Sequence, residues 1–311
     1  MSSDQSMKLS RAFTYNRTVR LKGQAVAGWA LITPALVHLC VFALWPICFV
    51  VYMSFFKWPL LGDLHSFVGW GNYRILAGDK AFFHALLNSA IFTVCTVPAN
   101  LLLALALASL LAQPLKLRGL LRTLYFLPVV TSSVAVAMVF SWVFHPEFGL
   151  LNYGLSLLGV KGPNWLGDPR TALSALMLMS VWKGVGYSMV IYLAGLSAIP
   201  QELYEVCALE GANAWHRFWH VTVPLLKPTT VFLAVTGVIG SFQVFTSVYT
   251  MTKGGPLRST DVVVFHIYSS AFERFHLGYA SAQALVLFAV ILAVTLLQVR
   301  LLRKEVAQLA G

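Results

Sequence analysis

The sequence predicts an all-α integral membrane protein with about six transmembrane helices, and two observations predict it. The first is charge: only 11% of the 311 residues are charged, while 58% are apolar. An ordinary soluble domain carries roughly 25% charged residues. Too little charge remains here to clothe a water-facing surface, whereas lipid requires an apolar exterior and backbone polar groups satisfied within helices. The second is run length: six segments reach the ~20 mainly apolar residues that cross a bilayer.

The first segment runs from about Gly28 to Phe56 and the second from about Ala85 to Ala112. The third runs from about Thr123 to Phe144, and the fourth from about Ala172 to Ser197. The fifth runs from about Leu225 to Met251, and the sixth from about Tyr279 to Val299. The first apolar run is too long for a secretory signal and reads as a retained anchor. Pro34 and Pro46 lie inside it, which membrane helices tolerate when neighbours satisfy the freed carbonyls. The organisation read from this is a cytoplasmic segment 1–27, a membrane domain 28–299 and a cytoplasmic tail 300–311.

Lys and Arg set the orientation. With the N-terminus inside, the inner segments hold 13 of these residues and the outer segments 8. The bias places both termini in the cytoplasm. The net charge of +11 is dispersed between apolar runs, as befits a partner of anionic lipid and not of nucleic acid. The four cysteines, Cys40, Cys48, Cys95 and Cys207, show no CxxC pair or disulfide spacing, so no metal site is expected. No catalytic constellation is visible. The absence of a GxxxxGK[ST] phosphate loop separates the chain from an ATPase.

The inner stretch 198–227 departs from a plain linker. Pro200 suits a first helical turn, and Glu202 and Glu205 fall in the early turns, where acids oppose the helix dipole favourably. Leu203, Val206, Cys207 and Leu209 make an apolar side. Gly211 permits a tight turn, and Asn213 is placed to cap a second helix carrying Trp215, Phe218 and Trp219. The pattern reads as a helix–turn–helix lying across the inner face. Its occupant is a partner's groove or, on the plainer reading, the membrane interface.

Glu205-Val206-Cys207, three residues, Gly211, nine residues and Val221-Thr222-Val223-Pro224 resemble the EAA loop of permease subunits in binding-protein-dependent ABC importers. Val206 and Cys207 stand in place of two alanines. Ile199-Pro200, Ala212 and Trp215 fit the sugar-transporting branch. Gly254-Gly255-Pro256 with Thr260 resembles the first permease type of the maltose and glycerol-3-phosphate group. Phe67-Val68-Gly69, Leu127-Pro128, Gly149-Leu150-Leu151-Asn152 and Gly278-Tyr279-Ala280-Ser281-Ala282 follow the same pattern in order.

The resemblance implies a type I ABC importer permease fold in a bacterial cytoplasmic (inner) membrane. It implies four kinds of partner beyond lipid: a second homologous permease, two ABC ATPases, an extracytoplasmic solute-binding protein and a carbohydrate cargo. ATP and Mg2+ would sit on the ATPases, with no cofactor on this chain. Glu202, Glu205, Cys207, Gly211, Ala212 and Trp215 would couple the chain to the ATPases.

Sugars call for hydroxyl-matching groups and aromatic faces. The fifth segment offers Phe242, Gln243, Thr246 and Tyr249. The last three recur at helical spacing and suit one face, either along a transport path or as polar glue between helices. Lys183 lies ~16 Å along the fourth segment at 1.5 Å per residue. A charge near mid-membrane faces a cavity or a partner, or snorkels to the interface. Gly184 and Gly186 beside it permit close backbone approach. The competing readings are a permease for a non-sugar solute, a membrane enzyme and a structural anchor.

Overall fold

Five helical stretches and one sharply bent helix pair are long and apolar enough to cross a membrane. The computed structural model describes residues 28–60, 65–113 and 116–307, with side chains as far as Leu301. The expected N-terminal segment 1–27 and the end of the tail lie outside the described residues.

Helix α1 (Gly28–Ser54) contains a π-helical turn at Cys40–Leu44, where the Trp45 N–H reaches back to the Cys40 carbonyl. Pro46, which has no N–H to offer, follows at once. The chain then makes a small antiparallel ladder, β1 (Phe56–Lys57) with β2 (Ser66–Phe67), in the register Phe56↔Phe67. This ladder departs from the all-helical expectation at the end predicted to be outer. Asn72, in α2 (Gly71–Ala77), fixes it by donating to the carbonyls of Ser54 at 2.8 Å and Phe56 at 2.9 Å.

Helix α3 (Lys80–Leu111) starts at Asp79, whose carboxylate accepts from the Ala81 and Phe82 amides. The Tyr279 hydroxyl also donates to it, at 2.6 Å. Burial raises the Asp79 pKa, but these hydrogen bonds to the charged form outweigh it and leave the carboxyl below its usual value.

The third span is not the single rod expected between Thr123 and Phe144. It is α4 (Arg118–Val130) followed by α5 (Ser133–Val143), bent by 101° at the junction. Pro128 removes an amide from the last turn of α4. Thr131 then adopts an extended conformation, and its hydroxyl bonds the Leu127 carbonyl at 2.8 Å. After α6 (Leu150–Leu157), the fourth span α7 (Ala172–Ser197) matches its expected limits. The surface pair α8 (Gln201–Leu209) and α9 (Ala214–Arg217) follows; α9 runs on through a π-helical turn at Phe218–Thr222.

The fifth span also breaks. Helix α10 (Lys227–Phe242) ends where the Gln243 and Val244 amides fold back onto the Gly240 and Ser241 carbonyls, at 3.2 and 3.3 Å. Phe245 is non-helical, and α11 (Thr246–Met251) begins after it. Helix α12 (Val263–Tyr268) precedes the sixth span, α13 (Leu277–Ala307), which starts two residues before the Tyr279 expected from its apolar run.

Helices α3, α7 and α10 form the centre. Ala104 and Ala108 of α3 let Met189 and Tyr192 of α7 and Leu233 of α10 pack together, all buried. Such small residues permit close helix approach in lipid, where packing and not hydrophobicity drives association. Helix α13 covers the second half of α1.

Candidate functional site

At the end predicted to be inner, α8 closes with a Schellman turn. The Ala212 N–H bonds the Cys207 carbonyl at 2.9 Å, and the Gly211 N–H bonds the Ala208 carbonyl at 3.1 Å. These are the two reverse bonds that satisfy a helix's last carbonyls, and they need a left-handed residue just past the end. Gly211 supplies it with φ of +81°. Asn213 caps α9 by accepting from the His216 amide at 2.8 Å. Pro200 is the residue before α8 begins, one position outside the first turn expected for it. The Tyr204 hydroxyl meets that of Thr222 at 3.0 Å, so the two short helices are tied together.

Glu202 and Glu205 are exposed on α8. Leu203, Val206 and Leu209 expose apolar surface beside them, Leu209 to 89% and Trp215 to 69%. Cys207 and Ala212 are half-buried. The element's helix ends are thus capped and tied together, while an acidic and apolar face is uncovered.

A second feature lies at mid-span. A cavity of about 360 Å3 is lined by Lys183, Ser180, Gln243, Thr246 and Ser133, among others. It is built where the two broken spans meet α7. A neighbouring cavity of about 310 Å3 shares Ser180, Gly184 and Val244 with it. The second cavity adds Thr96, Asn100, Tyr187, Ser188 and Ser241. Inside it the Ser188 hydroxyl donates to the Asn100 side-chain oxygen at 2.6 Å, and the hydroxyls of Thr96 and Ser241 lie 3.3 Å apart. Together the two cavities make a seam between α3, α7 and α10 in which these polar groups stand among apolar walls, with Lys183 lining one end.

The structure therefore separates residues that the sequence groups. Lys183, Gln243 and Thr246 share one cavity. Phe242, expected on the path, is buried among Leu76, Phe82, Val97 and Leu287 in an apolar cluster. Gln243, Thr246 and Tyr249 do not share one helical face, because the break at 243–245 divides them. Tyr249 joins an aromatic group, 5.3 Å from the Phe245 ring and 5.5 Å from that of Tyr268. Asn100, Ser188 and Thr96 are additions that the sequence reading missed. Their signal was available: polar side chains within apolar runs, the same logic that singles out Lys183.

The Gly254-Gly255-Pro256 block is held onto α3. Asn88 donates to the Arg258 and Asp261 carbonyls at 3.2 and 3.0 Å, and the Ser89 hydroxyl accepts from the Val263 amide at 2.9 Å. The Thr260 hydroxyl donates to the Gly255 carbonyl at 2.6 Å.

Comparison with known proteins agrees with this architecture. The lactose transport system permease protein LacF of Rhizobium radiobacter is 37% identical over 88% of this chain and 91% of its own length. The sulfoquinovosyl glycerol transport system permease protein SmoG of Agrobacterium fabrum is 34% identical over 91% of this chain and 92% of its own. A chain of a bacterial alginate ABC transporter, crystallised with its alginate-bound periplasmic protein, superposes with a TM-score of 0.81 at 21% identity, covering 91% of this chain and 96% of that one. Residues 100–307 match the family profile described as Binding-protein-dependent transport system inner membrane component. This chain, a multi-pass membrane permease with the ABC importer fold, belongs to that family.

Proposed function

We propose that this chain is one of two permease subunits of an ATP-driven bacterial importer for a carbohydrate or a related polyol or sugar phosphate. Its partners are a second homologous permease, two ABC ATPases and an extracytoplasmic solute-binding protein. The observation that carries the reading is the pairing of two features in one chain: an uncovered acidic and apolar helix–turn–helix at one end, and a seam carrying hydroxyl and amide groups at mid-span. The relatives named for lactose and for sulfoquinovosyl glycerol support the cargo class.

The chain itself breaks no bond. Its α8–α9 element fits a groove on an ATPase that binds ATP and Mg2+. Glu202 and Glu205 supply charge to that contact, Cys207, Ala212 and Trp215 supply packing, and Gly211 sets the angle of α9. Closure of the ATPases then moves the spans between inward-open and outward-open states, a two-state change biased by ligands at both faces. Hydroxyl-rich cargo passes along the seam near Gln243 and Thr246, on breaks in two spans, where irregular backbone is tolerated because it lines a cavity. The test is affinity purification of the tagged chain from its own cell. The expected result is recovery of a second permease and an ABC ATPase, with the cognate binding protein selecting a carbohydrate in a ligand screen. Recovery of the chain as the sole permease of a functional importer would contradict the heterodimer, and selection of amino acids or inorganic ions would contradict the cargo class.

The same reading puts both termini in the cytoplasm. In a cysteine-free background, Cys at position 161 is expected to react with an impermeant maleimide added outside intact cells. Cys at position 210 is expected to react only after permeabilisation. The reverse pattern would invert the topology.

A further inference from the structure

We propose that the cargo is an anionic polyol or sugar, whose phosphate, sulfonate or carboxylate group is held at mid-membrane by Lys183. This rests on the importer reading above and narrows its substrate class.

Lys183 sits eleven residues from the start of the 26-residue α7, about 16 Å along the axis. It is half-buried and lines the cavity shared with Gln243, Thr246 and Ser133. No Asp or Glu occurs within any of the six spans, the sixth counted as Leu277–Leu301. The chain's own acids therefore lie at other depths, and among the described residues no carboxylate lies within 4 Å of the Lys183 ammonium.

A cation at this depth needs a counter-charge or water. The surroundings add potential of the same sign. The N-terminus of α5 opens onto the same cavity through Ser133, and Ser132 places no side-chain cap on it. A broken span that points a half-helix N-terminus at a midplane cavity favours an anionic ligand group. The remaining lining sets neutral polar groups suited to hydroxyls among apolar Val129, Met179 and Phe245: Ser180, Gln243 and Thr246 here, with Ser188 and Asn100 in the adjoining cavity. One cationic locus beside a hydroxyl-matching seam describes a ligand with one acidic head and a polyol body. A wholly neutral sugar would offer the half-buried ammonium no counter-charge.

The experiment uses the whole importer, with its own binding protein and ATPase, in vesicles supplied with ATP on the ATPase side. The probes are matched pairs that differ in the anionic group: glycerol 3-phosphate against glycerol, and glucuronate against glucose. They separate phosphate from carboxylate as the preferred head. Binding protein is first titrated with each, and uptake of every bound probe is then measured. The proposal expects an anionic probe to enter at least tenfold faster than its neutral partner. Lys183→Gln should erase that preference, Lys183→Arg should retain it, and the Lys183→Gln complex should still purify with its second permease in normal yield.

Three results overturn it while leaving the carbohydrate reading standing. One is binding and uptake of the neutral members only. Another is wild-type uptake of the anionic probe by Lys183→Gln. The third is loss of the second permease from the Lys183→Gln complex, which would make Lys183 a counter-ion to that subunit. If no probe binds while a non-carbohydrate solute is imported, the carbohydrate reading falls and this proposal falls with it.

Discussion

Gly186→Val is expected to abolish recovery of the assembled protein. A Cβ at this position would lie 2.0 Å from the Tyr125 carbonyl oxygen and 3.2 Å from the Phe126 Cα. Both obstacles are backbone, so no side-chain rotation relieves them, and α7 has to move away from α4. Overpacking in a well-filled core typically costs about 1–3 kcal/mol, and a clash with backbone belongs at or above the upper end. The displaced pair also frames the Lys183 cavity, which α4 reaches through Val129. Detergent-solubilised monodisperse yield, read by fluorescence size exclusion, should fall severalfold for Gly186→Ala and to background for Gly186→Val. Gly154→Ala, whose added Cβ meets nothing within 4 Å, should behave as wild type. Normal yield of Gly186→Val would mean that α4 does not pack on α7 in this way.

Glu205→Lys and Gly211→Val are each expected to cut ATP-driven uptake at least 100-fold while leaving the membrane domain folded. Glu205 is exposed, so its loss removes no packing. Its effect through the dipole of α8 is at most about 1 kcal/mol. At Gly211 an added Cβ meets nothing within 4 Å, so space is not the obstacle. The obstacle is φ of +81°, which costs an L-residue roughly 1–2 kcal/mol and more for a β-branched one. The least strained response is to abandon the Schellman turn, which re-aims α9 with Trp215 and the start of α10. Neither change approaches the whole stability of a domain of this size, so a large loss of transport reports on coupling. Uptake and binding-protein-stimulated ATP hydrolysis should fall together in both variants, with normal yield of the permease. Wild-type uptake by both would remove this loop as the coupling element.

The sequence was most legible where hydrophobicity alone decides. Span α7 follows its apolar run from Ala172 to Ser197 because the run is unbroken and bounded by polar loops. The α8–α9 turn was legible for a different reason: Gly211 and Asn213 are residue types with few other uses at that spacing. Hydropathy is blind to direction, however, and that is where the reading failed. Thr123 to Phe144 carries no charge, yet Pro128 and the Ser132-Ser133 pair divide it into two helices 101° apart. The break after Phe242 has no proline to announce it, so a helical period carried across it adds Tyr249 to Gln243 and Thr246, whereas only those two line the Lys183 cavity. Phe242 reads as a pathway aromatic from its neighbours in sequence, whereas the turn of α10 places it in the core. Lys183 stood out as a charge in an apolar run. Asn100 and Ser188 were quieter versions of the same signal, and only their meeting across α3 and α7, at 2.6 Å, joins them to the seam.

The central claim is that the face of α8 is covered by an ATPase in the working assembly. It is tested most directly by a photo-activatable cross-linker on Cys at position 209, the most exposed apolar site of α8. Cys207→Ala and removal of Cys40, Cys48 and Cys95 provide the background. In the purified, transport-competent importer, irradiation should give a covalent adduct of this chain with the ATPase subunit, and the adduct's yield should change between nucleotide-free and ATP-bound states. An intact complex that gives adducts with lipid or with the second permease, and none with the ATPase in either state, would contradict the account.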